Sequence, residues 1–143
     1  MRIRDVLKGK DHRKTVTVRP EATVRELVGL LAEHNVGALI VSADGDTVDG
    51  IASERDVVRR LVNDSDLLDR SVSAIMTTVV QTCTPDDAVD ALMAQMTKHR
   101  IRHVPVVEDG RLTGIISIGD VVKHRIGELE FERDQLDHYV HQT

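Results

Sequence analysis

The chain has 143 residues, 41% hydrophobic and 30% charged, the profile of a folded domain with a sizeable core rather than a disordered segment. No apolar run approaches the roughly 18 residues that cross a bilayer, and the single cysteine, Cys83, excludes an internal disulfide framework and a clustered-cysteine metal site. A net charge of −5 and only two aromatic residues, Phe131 and Tyr139, argue against nucleic-acid or anionic-membrane partners and against base stacking on aromatic platforms.

The amino terminus, Met1-Arg2-Ile3-Arg4-Asp5, leads into no hydrophobic signal region, so a cytoplasmic address is expected. Val24, Leu27, Val28 and Leu31 then mark one face of an amphipathic helix, with Thr23 and Glu26 spaced as a capping box at its start. A short apolar strand, Ala38-Leu39-Ile40-Val41, runs to an Asp44-Gly45 turn that favours a hairpin. The returning strand, Gly50-Ile51-Ala52-Ser53, feeds a second helix expected from about Glu54 to Val62.

The same series recurs about 65 positions later. Thr17, Pro20, Val24, Leu27 and His34 meet Thr82, Pro85, Val89, Leu92 and His99. Val41, Asp44 and Gly45 meet Val106, Asp109 and Gly110. After one extra residue in the first half, Gly50-Ile51, Ser53 and Asp56-Val57-Val58 meet Gly114-Ile115, Ser117 and Asp120-Val121-Val122. Each unit therefore reads as short strand, helix, strand, strand, helix, and each is too small to hold a comfortable core alone, so the two should pack on each other.

The expected divisions are a first unit over 1–64, a polar joint over 65–70, a second unit over 71–127 and an amphipathic helix over 128–143. In the last segment Ile126, Leu129, Leu136 and Val140 share one face, with the acidic residues largely off that stripe. Such a face serves equally to fold back on its own unit or to meet a partner subunit.

Two features carry chemistry. In each unit a serine ends a strand and an aspartate follows three positions on, in the next helix's first turn: Ser53-Glu54-Arg55-Asp56 and Ser117-Ile118-Gly119-Asp120. A helix N-terminus with a hydroxyl suits phosphate, and a carboxylate one turn in can accept from a ribose diol. The same spacing is an ordinary helix-capping pair, and the residues alone leave both readings open. The second feature is the run Lys98-His99-Arg100-Ile101-Arg102-His103, a solvated basic turn or a phosphate-neutralising one. The first unit has Glu33-His34-Asn35-Val36-Gly37-Ala38 in its place and carries Arg55 in its Ser-x-x-Asp motif, so the two sites should hold phosphate differently. No His-Glu-x-x-His, Cys-x-x-Cys, Gly-x-Gly-x-x-Gly, phosphate-binding Gly-Lys-Ser loop or nucleophile elbow occurs, and Cys83 reads as a small buried side chain.

The segments Gly50–Val58, Arg102–Val107 and Gly114–Val121, together with the ordered duplication, resemble CBS domains, and the chain resembles a stand-alone tandem CBS pair over roughly residues 1–127. The resemblance implies an α+β fold of two β-α-β-β-α units related by pseudo-twofold symmetry and packed through their sheets, with the C-terminal helix outside the repeat. It implies a non-enzymatic regulatory or sensor module whose clefts bind AMP, ADP, ATP, NAD(H) or S-adenosylmethionine, with no obligatory cofactor. Ser53 with Asp56, and Ser117 with Asp120, would contact ribose and phosphate. Thr17 with Val36, Gly37 and Ala38, and Thr82 with Ile101, Arg102 and His103, would frame the base, covered by Ile51 and Ile115. Arg102, His103 and Arg55 would grip phosphate. A homodimer and an unidentified effector protein are the implied partners, since tandem pairs usually serve an appended enzyme, channel or transporter and none is present here. The alternative is a constitutive dimerisation or interaction module in which Ser-x-x-Asp only caps helices. The first unit departs from the family pattern in having Leu39-Ile40 where the second has Val104-Pro105, and in lacking a basic pair there.

Overall fold

The computed structural model describes residues 1–9 and 15–141. In chain order these form α1 (Ile3–Lys8), β1 (Thr17–Val18), α2 (Val24–His34), β2 (Ala38–Val41), β3 (Gly50–Ser53) and α3 (Glu54–Leu61). Two short 3-10 turns follow, Leu67–Asp69 and Val72–Ala74, then α4 (Val89–His99), β4 (His103–Glu108), β5 (Arg111–Ser117) and α5 (Ile118–His141). β1 runs parallel to β2, which pairs antiparallel with β3. β4 and β5 form the second hairpin, and the counterpart of β1 there is a single parallel bridge from Cys83 to Val106.

Local chemistry sets these boundaries. Thr23 caps α2 by accepting from the Glu26 amide at 3.1 Å. α2 and α4 end at equivalent residues in the left-handed region, Asn35 (φ 51°) and Arg100 (φ 53°). Asp109 (φ 53°) and Gly110 (φ 76°) make the tight two-residue turn expected between β4 and β5. The Asp44-Gly45 pair does something else: it sits in a longer loop in which Asp44 Oδ1 accepts from the amides of Asp46 and Thr47, both at 2.9 Å. Those amide bonds hold the Asp44 carboxyl well below the ordinary aspartate range.

The core is two clusters, and the chain crosses between them. Val24, Leu27, Leu39 and Val57 of the first unit pack with Leu67, Val72 and Ile75. Leu92, Met96, Val104 and Ile116 of the second pack with Ile3 and Val6 from α1. The leading segment of each unit thus completes the other unit's core, and the supposedly polar joint supplies Leu67, 1% exposed. The backbone repeats the exchange. The Ile3 amide donates to the Asp87 carbonyl at 3.0 Å and the Val72 amide to the Ala22 carbonyl at 2.8 Å, while Val89 donates to Met1 and Val24 to Arg70. All four bonds tie the start of α2 or α4 to the chain segment that leads into the other unit.

The boundary expected at 127/128 falls inside α5, which runs unbroken to His141. Its stripe does not fold back: Ile126, Leu129, Leu136 and Val140 are all exposed. No helix among the described residues is long and apolar enough to cross a membrane.

Candidate functional site

Each hairpin register delivers its motif serine to a fixed place. Ala38 lies opposite Ser53 across β2 and β3, and His103 opposite Ser117 across β4 and β5. The loops that enter these strands meet near the pseudo-twofold axis, where a Cβ added to Gly37 would lie 3.5 Å from both His103 Cε1 and Glu54 Oε1. Each loop also closes on the helix of its own unit: the Glu54 amide donates to the Gly37 carbonyl at 2.9 Å, and the Ile118 amide to the Arg102 carbonyl at 2.8 Å.

Both Ser-x-x-Asp motifs form reciprocal caps. Asp56 Oδ2 accepts from the Ser53 amide at 2.9 Å and from its hydroxyl at 3.1 Å, while the Asp56 amide donates to Ser53 Oγ at 3.3 Å. Asp120 Oδ2 accepts from the Ser117 amide at 2.9 Å, and the Asp120 amide donates to Ser117 Oγ at 3.2 Å. These bonds fix the rotamers of serine and aspartate at the mouth of each helix.

One cleft of about 200 Å³ unites residues from both units. The first unit contributes Gly37, Ala38, Ile51, Ser53, Arg55 and Asp56. The second contributes Ile101, Arg102 and His103, so nine residues singled out from the sequence converge here. Ile51 and Ile101 are half-buried aliphatic walls, and Arg55 and Arg102 form an exposed cationic rim. The volume is below the roughly 300–1,000 Å³ of closed ligand pockets.

Other singled-out residues lie elsewhere. Thr17 pairs with Ile40 at the sheet edge, Thr82 is exposed beside the Cys83 bridge, and Val36 donates its amide to the Leu31 carbonyl at 3.1 Å. Ile115 pairs with Pro105 in the second hairpin. Asp120 lines a larger groove of about 620 Å³ between α1 and α5, together with Val6, Lys123, His124 and Phe131. That groove is the bigger of the two, but of the singled-out residues it holds Asp120 alone; the smaller cleft is the candidate site because nine of them, from both units, line it. Lys10 to Lys14, which precede Thr17, fall outside the described residues.

The cleft also contains residues that the sequence did not mark as its lining. Thr77, Val79, Val80 and Gln81 form one wall, and Glu54 and Arg100 complete the rim. Thr77 is held there by a two-way bridge to Ile51, with N–O distances of 3.0 and 2.9 Å. Arg100 carried two signals, its basic neighbours and its place at the end of α4. A non-glycine residue in the left-handed region costs of order 1–3 kcal/mol and tends to sit at functional sites.

The CBS domain family matches residues 3–63 and 72–127, which is most of the chain and both halves of the repeat. The chain belongs to the CBS-domain proteins. It is 38% identical over 123 residues to the mitochondrial CBS domain-containing protein CBSX3 of Arabidopsis thaliana, covering 82% of this chain and 60% of that longer one. It also resembles a CBS domain protein of Pyrobaculum aerophilum solved with AMP, at 31% identity and a TM-score of 0.72, covering 84% and 89% of the two chains. The CBS domain pair of protein MJ0100, solved with 5-methylthioadenosine and S-adenosyl-L-methionine, superposes with a TM-score of 0.78 at 25% identity, covering 90% and 98%. The tandem α+β architecture of this chain is therefore that of a CBS pair.

Proposed function

We propose that this protein is a regulatory, non-catalytic module that holds an adenosyl ligand in the cleft between its two CBS units. One observation carries the reading: the capped Ser53–Asp56 pair of the first unit and the cationic loop of the second open into the same aliphatic-walled cleft. Ile51 and Ile101 would sandwich the adenine, replacing the absent aromatics. Only Oδ2 of Asp56 enters the capping bonds, which leaves Oδ1 to accept from a ribose hydroxyl. Arg55, Arg100 and Arg102 would take the phosphate at the start of α3, where the helix dipole adds to their charge. The adenosyl ligands of the two solved relatives support the class.

The equivalent residues of the repeat, Ser117, Asp120, Ile115 and Val36, sit among different charges. Ile118 and Gly119 stand there for Glu54 and Arg55, and Asn35 for Arg100. We therefore assign the phosphate-bearing ligand to the first cleft. A second reading, a constitutive interaction module, draws on the fact that in each motif the serine and the aspartate already bond each other as a cap.

Calorimetric titration with AMP, ATP, NADH and S-adenosylmethionine separates the two. The proposal expects saturable heat with at least one ligand and a stabilisation of about 2.7 kcal/mol at a hundredfold excess over Kd. No heat and no thermal shift with any of them would leave the interaction module. A bound ligand regulates only through unequal affinity for two states, so the output would pass to an effector protein that reads those states.

A further inference from the structure

Among the described residues the cleft is lined by one carboxamide side chain, that of Gln81. Its Oε1 accepts from Nε2 of Gln95 at 3.0 Å; Gln95 stands on α4, outside the cleft lining, and both residues are half-buried. The repeat shows what this pair replaces. At the equivalent positions of the first unit stand Val16 and Leu30, two aliphatic side chains packed against that unit's core. An apolar pair is thus enough to pack this corner. Two amides in its place carry a desolvation cost that the single bond between them offsets only in part.

The bond also has a direction. With Oε1 engaged by Gln95, the part of the Gln81 amide left over is Nε2, which donates and cannot accept. Ile51 and Ile101, the aliphatic walls, and Val79 and Val80 beside Gln81 have no polar side-chain atom with which to bond the edge of a base. We infer that Gln95 holds the Gln81 amide so that Nε2 donates to a ring nitrogen of a purine bound in the cleft. Gln81 is then the residue that recognises the base edge, and Gln95 is its positioning residue. This assignment rests on the adenosyl reading of the cleft given above and adds the group that reads the base. The ring nitrogens of adenine are acceptors, so a donor held in place selects for them. Removing the accepting nitrogen leaves a desolvated N–H facing a C–H, which costs more than the bond itself contributes.

The test titrates the full chain with AMP and with its 1-deaza, 3-deaza and 7-deaza analogues, each of which has C–H in place of one ring nitrogen. One analogue should bind the wild type about tenfold more weakly than AMP does. The Gln81→Val/Gln95→Leu variant copies the first unit's pair, so it should keep the wild-type thermal midpoint and bind that analogue and AMP about equally. Gln95→Glu tests the positioning role. A carboxylate only accepts, so it draws Nε2 of Gln81 toward itself and turns Oε1 to the cleft. Discrimination should vanish there too although Gln81 is intact, a result that a packing role for Gln95 would not produce. All three analogues matching AMP on the wild type, or discrimination that persists in either variant, overturns the assignment while leaving the adenosyl reading in place. A wild type that does not bind AMP overturns that reading first, and the assignment with it.

Discussion

Gly50 lies so close to Thr77 that a Cβ added to it would sit 2.8 Å from the Thr77 carbonyl oxygen and 2.9 Å from Met76 Sδ. The equivalent Gly114 approaches Leu7, whose Cδ2 would be 2.9 Å from the new atom. The glycine that opens the Gly-apolar-x-Ser strand in both units is thus a packing glycine. It admits the leader of the opposite unit and, in the first unit, brings Thr77 to the wall of the cleft between the units.

The two glycines should respond unequally to alanine. Backbone cannot swing away, so Gly50→Ala should cost about 1–3 kcal/mol, the usual range for overpacking. Leu7 is a flexible side chain, so Gly114→Ala should cost less. Urea unfolding of both variants checks this; equal midpoints would contradict it.

The two motif serines separate capping from binding. Ser53→Ala and Ser117→Ala each lose an N-cap and should each lower stability by about 1 kcal/mol. Only Ser53 lines the cleft, so only Ser53→Ala should also weaken binding there. The measurement is a ligand titration run beside an unfolding curve for each variant. Equal losses of affinity would point to a purely structural role.

Arg100 offers the opposite combination. Replacing it with glycine relieves the left-handed backbone, so Arg100→Gly should match or exceed the wild type in thermal midpoint despite the entropy cost of glycine. The same change removes a rim cation and should weaken a phosphorylated ligand more than a neutral adenosyl one. AMP and adenosine titrated against both proteins give the comparison.

These features differ in how plainly the sequence announced them. The repeat, the caps and the basic loop were legible because each needs particular residue types at fixed spacing. The crossed leaders were not. Ile3 and Val6, like Val72 and Ile75, announce that they are buried, but periodicity names no partner across the axis. Val79 and Val80 carry no motif and follow Thr77, which is pinned to Ile51, along the wall of the cleft. In α5 the stripe was evident, but only the exposed face of the continuous helix shows that its own unit leaves it open.

Cys83 should be chemically silent in the folded state. It is 4% exposed, and burial, with the negative charge of Asp87 second, pushes its thiol up to about 12. The folded chain then keeps its proton where the unfolded chain, titrating near 8.5, loses it. This contribution is intact below about pH 8.5 and is lost as pH rises toward about 12. Labelling with a thiol reagent at pH 8 should therefore track unfolding; rapid labelling of native protein would contradict the burial.

Amide hydrogen exchange with and without saturating AMP bears most directly on the shared cleft. Slowed exchange is predicted at 37–38, 51–56, 77–81 and 100–103, residues from both units at once, with 129–141 unchanged. Saturable binding that protects one unit alone, or only the groove between α1 and α5, would contradict a ligand held in the cleft lined by Ser53 and Arg102.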